Sequence, residues 1–136
     1  MTAWVIDSSI SLALVLPDER SAKAEMLLKQ DKKAVFLVPF LWWYEVSNAL
    51  VFAAKRKRLP AEMLPSLFDG MLRLPLHIDP LLDRSVAASI QKIALESSLT
   101  AYDAAYVELA QRHGARLATL DQQLAAIAAS RGVKGL

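Results

Sequence analysis

The chain contains no cysteine and only two histidines. The absence of cysteine excludes disulfide bonds, thiolate zinc sites and thiol nucleophiles. The histidines, His77 and His113, are far apart in the sequence, which argues against a histidine-rich metal site. The sequence therefore disfavours enzymes and metal sites that depend on cysteine or on clustered histidines.

The excess of positive over negative charge is also small, with a formal net charge of +2. This mild excess permits nucleic-acid binding without indicating it. The N-terminus lacks the basic region of a signal peptide, and Asp7 interrupts the apolar stretch. Between Lys33 and Lys55 the only charged residue is Glu45, but Pro39 and a carboxylate in mid-span argue against a membrane helix. We therefore expect a cytoplasmic protein with no membrane segment.

Hydrophobic residues form 54% of the 136 residues and charged residues 22%. These values are typical of a folded chain, and the length suits a single domain spanning residues 1–136. The apolar fraction is high enough that part of it is expected to cover a partner as well as a core.

Short apolar runs alternate with longer helical patterns along the chain. The predicted strands cover residues 3–6, 35–38, a short stretch between Pro75 and Pro80, and 116–119, with a final edge strand from Val133. The predicted helices cover residues 8–16 (capped by Ser8 or Ser9 and stopped by Pro17), 21–30, 41–55, 60–72, 81–97, 100–113 and a last one from Asp121. This alternation predicts an α/β sandwich with a mostly parallel central sheet.

Glu45 lies in a helix that is apolar nearly all round, so the helix is expected to sit deep in the domain. A buried carboxylate needs a cation, a donor or a metal as its partner. No lysine or arginine lies within one turn of it. Asn48, three residues later, shares its face and is a candidate for a joint polar patch.

Three aspartates share one type of position. Asp7 ends the first strand, Asp121 follows strand 116–119, and Asp103 lies in the first turn of a helix. Ligands of open α/β sheets gather at the carboxyl ends of the strands. If these acids meet Glu45, their repulsion requires a counter-charge. Magnesium, which binds carboxylates, water and substrate phosphate, would supply it and suits phosphodiester hydrolysis.

Each acid also has a plain structural interpretation. Asp7 and Asp121 are good N-caps, and Thr100-x-x-Asp103 is similar to a capping box. The cations Lys55, Arg56, Lys57 and Arg58 are candidates for RNA phosphate contacts, or else a solvated helix end. Tyr102 and Tyr106, on either side of Asp103, are either packing residues or a wall of the site.

Four motifs occur in order along the chain. They are Val5-Ile6-Asp7-Ser8-Ser9; Val38-Pro39 followed by Glu45-Val46-Ser47-Asn48-Ala49-Leu50; Leu99-Thr100-Ala101-Tyr102-Asp103-Ala104-Ala105-Tyr106; and Leu117-Ala118-Thr119-Leu120-Asp121. Together they resemble the PIN domain, and within it the VapC-type toxins of prokaryotic toxin–antitoxin pairs. The resemblance spans nearly the whole chain.

The resemblance implies a PIN-like α/β/α sandwich and an RNA endonuclease. In it, Asp7, Glu45, Asp103 and Asp121 would gather one or two Mg²⁺ or Mn²⁺ ions, supported by Ser9 and Thr119. Some relatives carry a further acid where this chain has Gln122 and Gln123, so the resemblance leaves open whether one ion or two would bind.

The resemblance also implies a homodimer, silenced by a VapB-like antitoxin whose tail packs across the site. Two other functions remain open. One is a PIN-like module that binds RNA or a protein without cleaving it. The other is a phosphoacceptor domain using Asp7, which lacks the second acid where Ser9 stands and the strand-end lysine of receiver domains.

Overall fold

The structure, a computed structural model, describes residues 2–16, 18, 21–30 and 32–136. In chain order its elements are β1 (Ala3–Ile6), α1 (Ser8–Val15), α2 (Ala22–Gln30), β2 (Val35–Pro39), α3 (Leu41–Lys55), a 3-10 turn (Ala61–Met63), α4 (Leu64–Leu72), β3 (Leu76–Asp79), α5 (Arg84–Leu95), α6 (Ala101–His113), β4 (Arg116–Ala118) and α7 (Gln122–Ser130).

The four strands form one parallel sheet in the order β3-β2-β1-β4. Ala3 is opposite Val35 in β2, and Val5 is opposite Leu117 in β4. Because all four strands run the same way, their carboxyl ends meet at one edge of the sheet. Asp7 and the segment after β4 therefore lie side by side at that edge.

The two faces of the sheet bury two separate cores, because side chains alternate between faces along a strand. Trp4 and Ile6 of β1 pack into the core shared with α1 to α4. Val5, between them, packs with Leu117 into the core shared with α6 and α7. The result is the α/β/α sandwich that the sequence predicts.

Helix α3 has the predicted bounds, but its predicted depth is wrong. Only one face is buried, at Trp42, Val46, Leu50 and Ala53. Residues on the other side, including Phe52, are exposed. The spacing of four, four and three residues between the buried positions is that of an ordinary one-sided helix.

Several other boundaries also differ from the prediction. Asp7, rather than Ser8 or Ser9, caps α1. Helix α5 begins three residues late because Asp83 caps it, and the helix predicted for 60–72 starts as a 3-10 turn. No strand starts at Val133. The stop assigned to Pro17 lies outside the described residues.

Within the described ranges, no helix combines the length and the apolar character needed to cross a membrane.

Candidate active site

Asp7 is the most firmly held acid at the carboxyl edge of the sheet. It is 6% exposed. Its Oδ1 accepts hydrogen bonds from the Ser9 hydroxyl at 2.6 Å and from the Ile10 amide at 3.1 Å, and the second of these caps α1. Its Oδ2 accepts a hydrogen bond from the Thr119 hydroxyl. A carboxylate has about four acceptor positions, so these three donors fix the group without using all of them.

Ser9 and Thr119 also join the ends of β1 and β4. The Leu120 amide donates to the Ser9 hydroxyl, and the Asp121 amide donates to the Thr119 hydroxyl, each at 3.0 Å. Each hydroxyl thus donates to Asp7 and accepts from the loop before α7. The two residues that the family resemblance names as supports both contact Asp7 directly.

A second buried chain of hydrogen bonds positions α3 beside α1. The Ser11 hydroxyl donates to the Asp7 carbonyl, and the Trp42 indole Nε1 donates to the Ser11 hydroxyl, both at 2.8 Å. Trp42 and Ser11 are both fully buried. Since Trp42 lies three residues before Glu45, this link fixes the turn of α3 that carries the acid.

Helix α6 supplies two further side chains to the site. Thr100 caps this helix by accepting a hydrogen bond from the Asp103 amide at 3.2 Å. Asp103 and Tyr106 are three residues apart, so they share a face of the helix. The Tyr106 hydroxyl donates to Glu45 Oε1 at 2.6 Å, which ties α6 to α3 across the site.

The acids influence one another electrostatically. Burial, the largest cause, raises the pKa of Asp7, Glu45 and Asp103 above its usual value in each case. The charges of Asp103 and Asp7 raise the pKa of Glu45 further, and those of Asp121 and Asp7 raise the pKa of Asp103 further. The structure therefore brings each of the four predicted acids within electrostatic reach of at least one other.

No cation balances this charge in the described part of the chain. None of the ion pairs there includes any of the four acids. Burial likewise raises the pKa of the Tyr106 phenol far above its usual value, and the adjacent Glu45 raises it further. Tyr106 therefore stays protonated and acts as a hydrogen-bond donor.

The donor set fits a hard divalent ion, since it consists of carboxylate and hydroxyl oxygens. Among the described residues, however, no three acids or histidines stand close enough to surround one ion. Magnesium commonly keeps several waters and binds through one or two carboxylates plus substrate phosphate. The arrangement is thus compatible with a water-rich magnesium or manganese site rather than with a closed protein cage.

The capping interpretation holds for two of the acids. Asp7 caps α1, and Asp121 caps α7 by accepting hydrogen bonds from the Gln123 and Leu124 amides at 2.9 and 3.1 Å. Half of the predicted capping box is present, because Thr100 accepts a hydrogen bond from the Asp103 amide, but no described residue donates a hydrogen bond to the Asp103 carboxylate. Glu45, inside α3, caps nothing. Capping by Asp121 uses one oxygen and leaves the other oxygen available.

Asn48 lies on the exposed side of α3, and the four basic residues lie at its carboxyl end and just beyond it. Asn48 is exposed, and no hydrogen bond joins its side chain to another described residue. Lys55 to Arg58 are all exposed at the carboxyl end of the helix. Lys55 is about 15 Å from Glu45 along the helix axis, at 1.5 Å per residue. Arg58 is paired with Asp18 at 2.6 Å.

Sequence reasoning missed three features of this region. It did not find Ser11 or the Trp42 donor, since a serine and a tryptophan in apolar helices carry no specific signal. It also missed an ion cluster in which Arg112 binds Glu108 at 2.7 Å and Asp79 at 2.5 Å. Since Arg112 and Glu108 lie on α6, this cluster joins the helix to the end of β3.

Comparison with known proteins agrees with this architecture. The family model described as PIN domain matches residues 4–130. Ribonuclease VapC3 from Pyrobaculum aerophilum is 38% identical over 125 residues, which cover 89% of this chain and 91% of the relative.

Two solved structures share the fold. PAE2754 from Pyrobaculum aerophilum has a TM-score of 0.72 and 25% identity, over 98% of this chain and 89% of that protein. VapBC2 from Rickettsia felis, bound to a promoter DNA fragment, has a TM-score of 0.72 and 13% identity, over 99% of this chain and 98% of the other. The chain therefore belongs to the PIN-domain family and is a member of its VapC type.

Proposed function

We propose that this protein is a magnesium-dependent endoribonuclease and the toxin of a toxin–antitoxin pair, with Mn²⁺ as a substitute ion. The observation that carries the proposal is the group of mutually repelling carboxyls at one sheet edge, without a balancing cation in the described residues. The 38% identical relative named a ribonuclease supports the choice of RNA as substrate. A cytoplasmic location is part of this proposal, since RNA of the cell would be the substrate.

All four acids would contribute to binding the ion. Asp7, Glu45, Asp103 and Asp121 supply the negative charge, and Ser9 and Thr119 keep Asp7 in place. A bound ion would polarise the scissile phosphate and acidify a water. The half-buried positions of Glu45 and Asp103 leave one side of the group open to an RNA strand. Hydrolysis would form a bond from a water oxygen to phosphorus, break the bond from phosphorus to the leaving oxygen, and transfer a proton from the water to that oxygen.

The test is cleavage of a panel of structured RNAs by the purified, antitoxin-free protein in Mg²⁺, Mn²⁺ or EDTA. Asp103→Asn should abolish cleavage while the fold, measured by circular dichroism, stays intact. Asp83→Asn is the matched control: Asp83 caps α5 outside the site, and asparagine caps about equally well. Cleavage that persists in EDTA or in Asp103→Asn would contradict the proposal.

A non-cleaving PIN-like module remains the second candidate. It is favoured by the lack, among the described residues, of three acids around one point. Such a module would bind RNA or a protein equally well in EDTA and would tolerate Asp103→Asn. Binding without cleavage in every metal condition would select this alternative.

We further propose RNA contacts at Lys55, Arg56, Lys57 and Arg58. All four are exposed, but Arg56 stacks over Phe52, with its guanidinium 5.7 Å from the ring centroid. Lys55→Ala with Lys57→Ala should weaken RNA binding and make its salt dependence less steep, since each phosphate contact contributes about 1 to the slope. An unchanged slope would remove these residues from the RNA path.

A homodimer is proposed through an apolar patch formed by Phe40, Tyr44, Leu81 and Leu82, which are 46–76% exposed. The patch borders an apolar cavity of about 260 Å³ near the ends of β2 and β3. Leu82→Glu should give a monomer in light scattering. Leu95→Glu, on α5 and 87% exposed, should leave the dimer intact. A monomeric parent protein would refute the proposal.

A VapB-like antitoxin is the proposed partner. The solved VapBC2 complex has this fold, and Leu28 on α2 exposes apolar surface that a partner helix would cover. Addition of a purified VapB-like partner should stop RNA cleavage. Unchanged cleavage at saturating partner would contradict this assignment.

A further inference from the structure

The hydrogen bond between Tyr106 and Glu45 joins two helices across the site. Tyr106 is 1% exposed, and its hydroxyl donates to Glu45 Oε1 at 2.6 Å over a separation of 61 residues. A buried tyrosine generally finds a partner for its hydroxyl, so satisfying the phenol is one reason for the contact. Because the partner, Glu45, is a candidate metal ligand, the contact also bears on the proposed metal site.

Glu45 would be poorly positioned without this bond. It is half-buried, has three rotatable side-chain bonds, and is repelled by the charges of Asp103 and Asp7. Repulsion and side-chain entropy both favour rotation of its carboxylate toward solvent. No other hydrogen bond from a described residue holds it.

Helix α6 is placed to oppose that rotation. Its Asp103 and Tyr106 lie on one face, so the helix contributes one repelling charge and one attracting donor to the same region. The Tyr106 ring packs in the core beside Val5 and Leu109, which leaves the hydroxyl little freedom to move. The donor is therefore rigid while its acceptor is not.

We propose that Tyr106 is a positioning residue whose hydroxyl holds Glu45 Oε1, so that the Glu45 carboxylate is already in place in the site before a divalent ion binds. This inference rests on the proposed metal-dependent function. It assigns Tyr106 no contact with the ion or the RNA. Its effect is on the affinity for metal, through Glu45.

The test is calorimetric titration of the protein with Mn²⁺ in the absence of RNA. Tyr106→Phe keeps the ring and removes the hydroxyl, and it should weaken Mn²⁺ binding on the order of 10-fold, as loss of an outer hydrogen bond to a metal ligand does. Tyr102→Phe makes the same change on the same helix at a 65% exposed residue and should leave the affinity unchanged. Near-UV circular dichroism at the titration temperature verifies that each variant is folded.

A double-mutant cycle with Glu45→Gln separates positioning from general packing. If Tyr106 acts through Glu45, adding Tyr106→Phe to Glu45→Gln should cause little further loss of affinity. Fold-losses that simply multiply, or a Tyr106→Phe protein that binds Mn²⁺ like the parent, would overturn the inference. Failure of Glu45→Gln itself to weaken binding, or no Mn²⁺ binding by the parent, would refute the proposed metal site instead.

Discussion

Thr119 offers a direct test of how the carboxyl edge of the sheet is held together. Its hydroxyl donates to Asp7 Oδ2 and accepts from the Asp121 amide. The side chain is 4% exposed. Thr119→Val replaces the hydroxyl with a methyl of similar size, so it removes two hydrogen bonds without opening a large cavity.

The magnitude follows from the two partners. The bond to Asp7 has an ionised acceptor that is 6% exposed, and hydrogen bonds to charged groups contribute about 1.5–3 kcal/mol. The Asp121 residue is exposed, so water replaces much of the second bond and its loss costs about 0.5–1 kcal/mol. Thr119→Val should therefore lower the free energy of unfolding by about 2–4 kcal/mol.

Urea denaturation at neutral pH in EDTA measures this loss, with Thr100→Val as the matched control. Thr100 also accepts a hydrogen bond from a backbone amide, but it is exposed at the start of α6. Losing that cap should cost about 1 kcal/mol. A loss in Thr119→Val no larger than in Thr100→Val would refute the reasoning.

The pH dependence provides a second check on the same variant. The Thr119 bond lowers the pKa of Asp7, although burial raises it more. The stabilisation from this bond is therefore full while Asp7 is ionised, and it is lost as the pH falls through the folded-state pKa of Asp7. The difference between parent and Thr119→Val should shrink at acid pH, and an unchanged difference would point to packing instead.

Three further changes have expected outcomes. Trp42→Phe removes a buried donor and leaves a cavity, so it should destabilise by about 2–4 kcal/mol in urea, well beyond the partly buried Trp43→Phe. In EDTA, the raised pKa of Asp103 contributes stability that is full below pH 3.8 and is lost as the pH rises through the folded-state pKa. Asp103→Asn should therefore be more stable than the parent at pH 7.5 and should lose this advantage at acid pH. Arg112→Met leaves the 7%-exposed Glu108 unpaired and should lower the free energy of unfolding, measured by thermal unfolding, by about 2–3 kcal/mol. The loss is moderate because the Arg112 guanidinium is partly solvated.

Local signals in the sequence were enough to place the elements that carry the acids. Thr100 and Gly114 mark the two ends of α6, because a threonine N-cap and a glycine in the left-handed conformation are both local signals of a helix end. The apolar run before Asp7 likewise gives β1 its bounds. Since strand ends in a parallel sheet converge, these local assignments already predict that Asp7 and Asp121 are neighbours.

Contacts between distant residues were not predictable in the same way. The Tyr106–Glu45 bond depends on how α3 and α6 pack, which no local pattern encodes. The depth of α3 was overestimated because composition does not show which apolar side chains face the sheet. The edge strand predicted from Val133 was wrong: the Leu117 amide bonds to the Lys134 carbonyl, but no ladder follows.

The acids differ in how firmly the protein holds them, and this difference bears on the proposed chemistry. Asp7 accepts three hydrogen bonds, Glu45 accepts one, and Asp103 accepts none from the described residues. Hydrogen bonds therefore oppose the mutual repulsion most strongly at Asp7, while none from the described residues holds the Asp103 carboxylate near the other acids. Asp7 is already fixed before an ion would bind, so most of the side-chain entropy lost on binding would be lost at Asp103. Because ordering a side chain reduces affinity, strengthening the hold on Asp103 should improve metal binding more than strengthening the hold on Asp7.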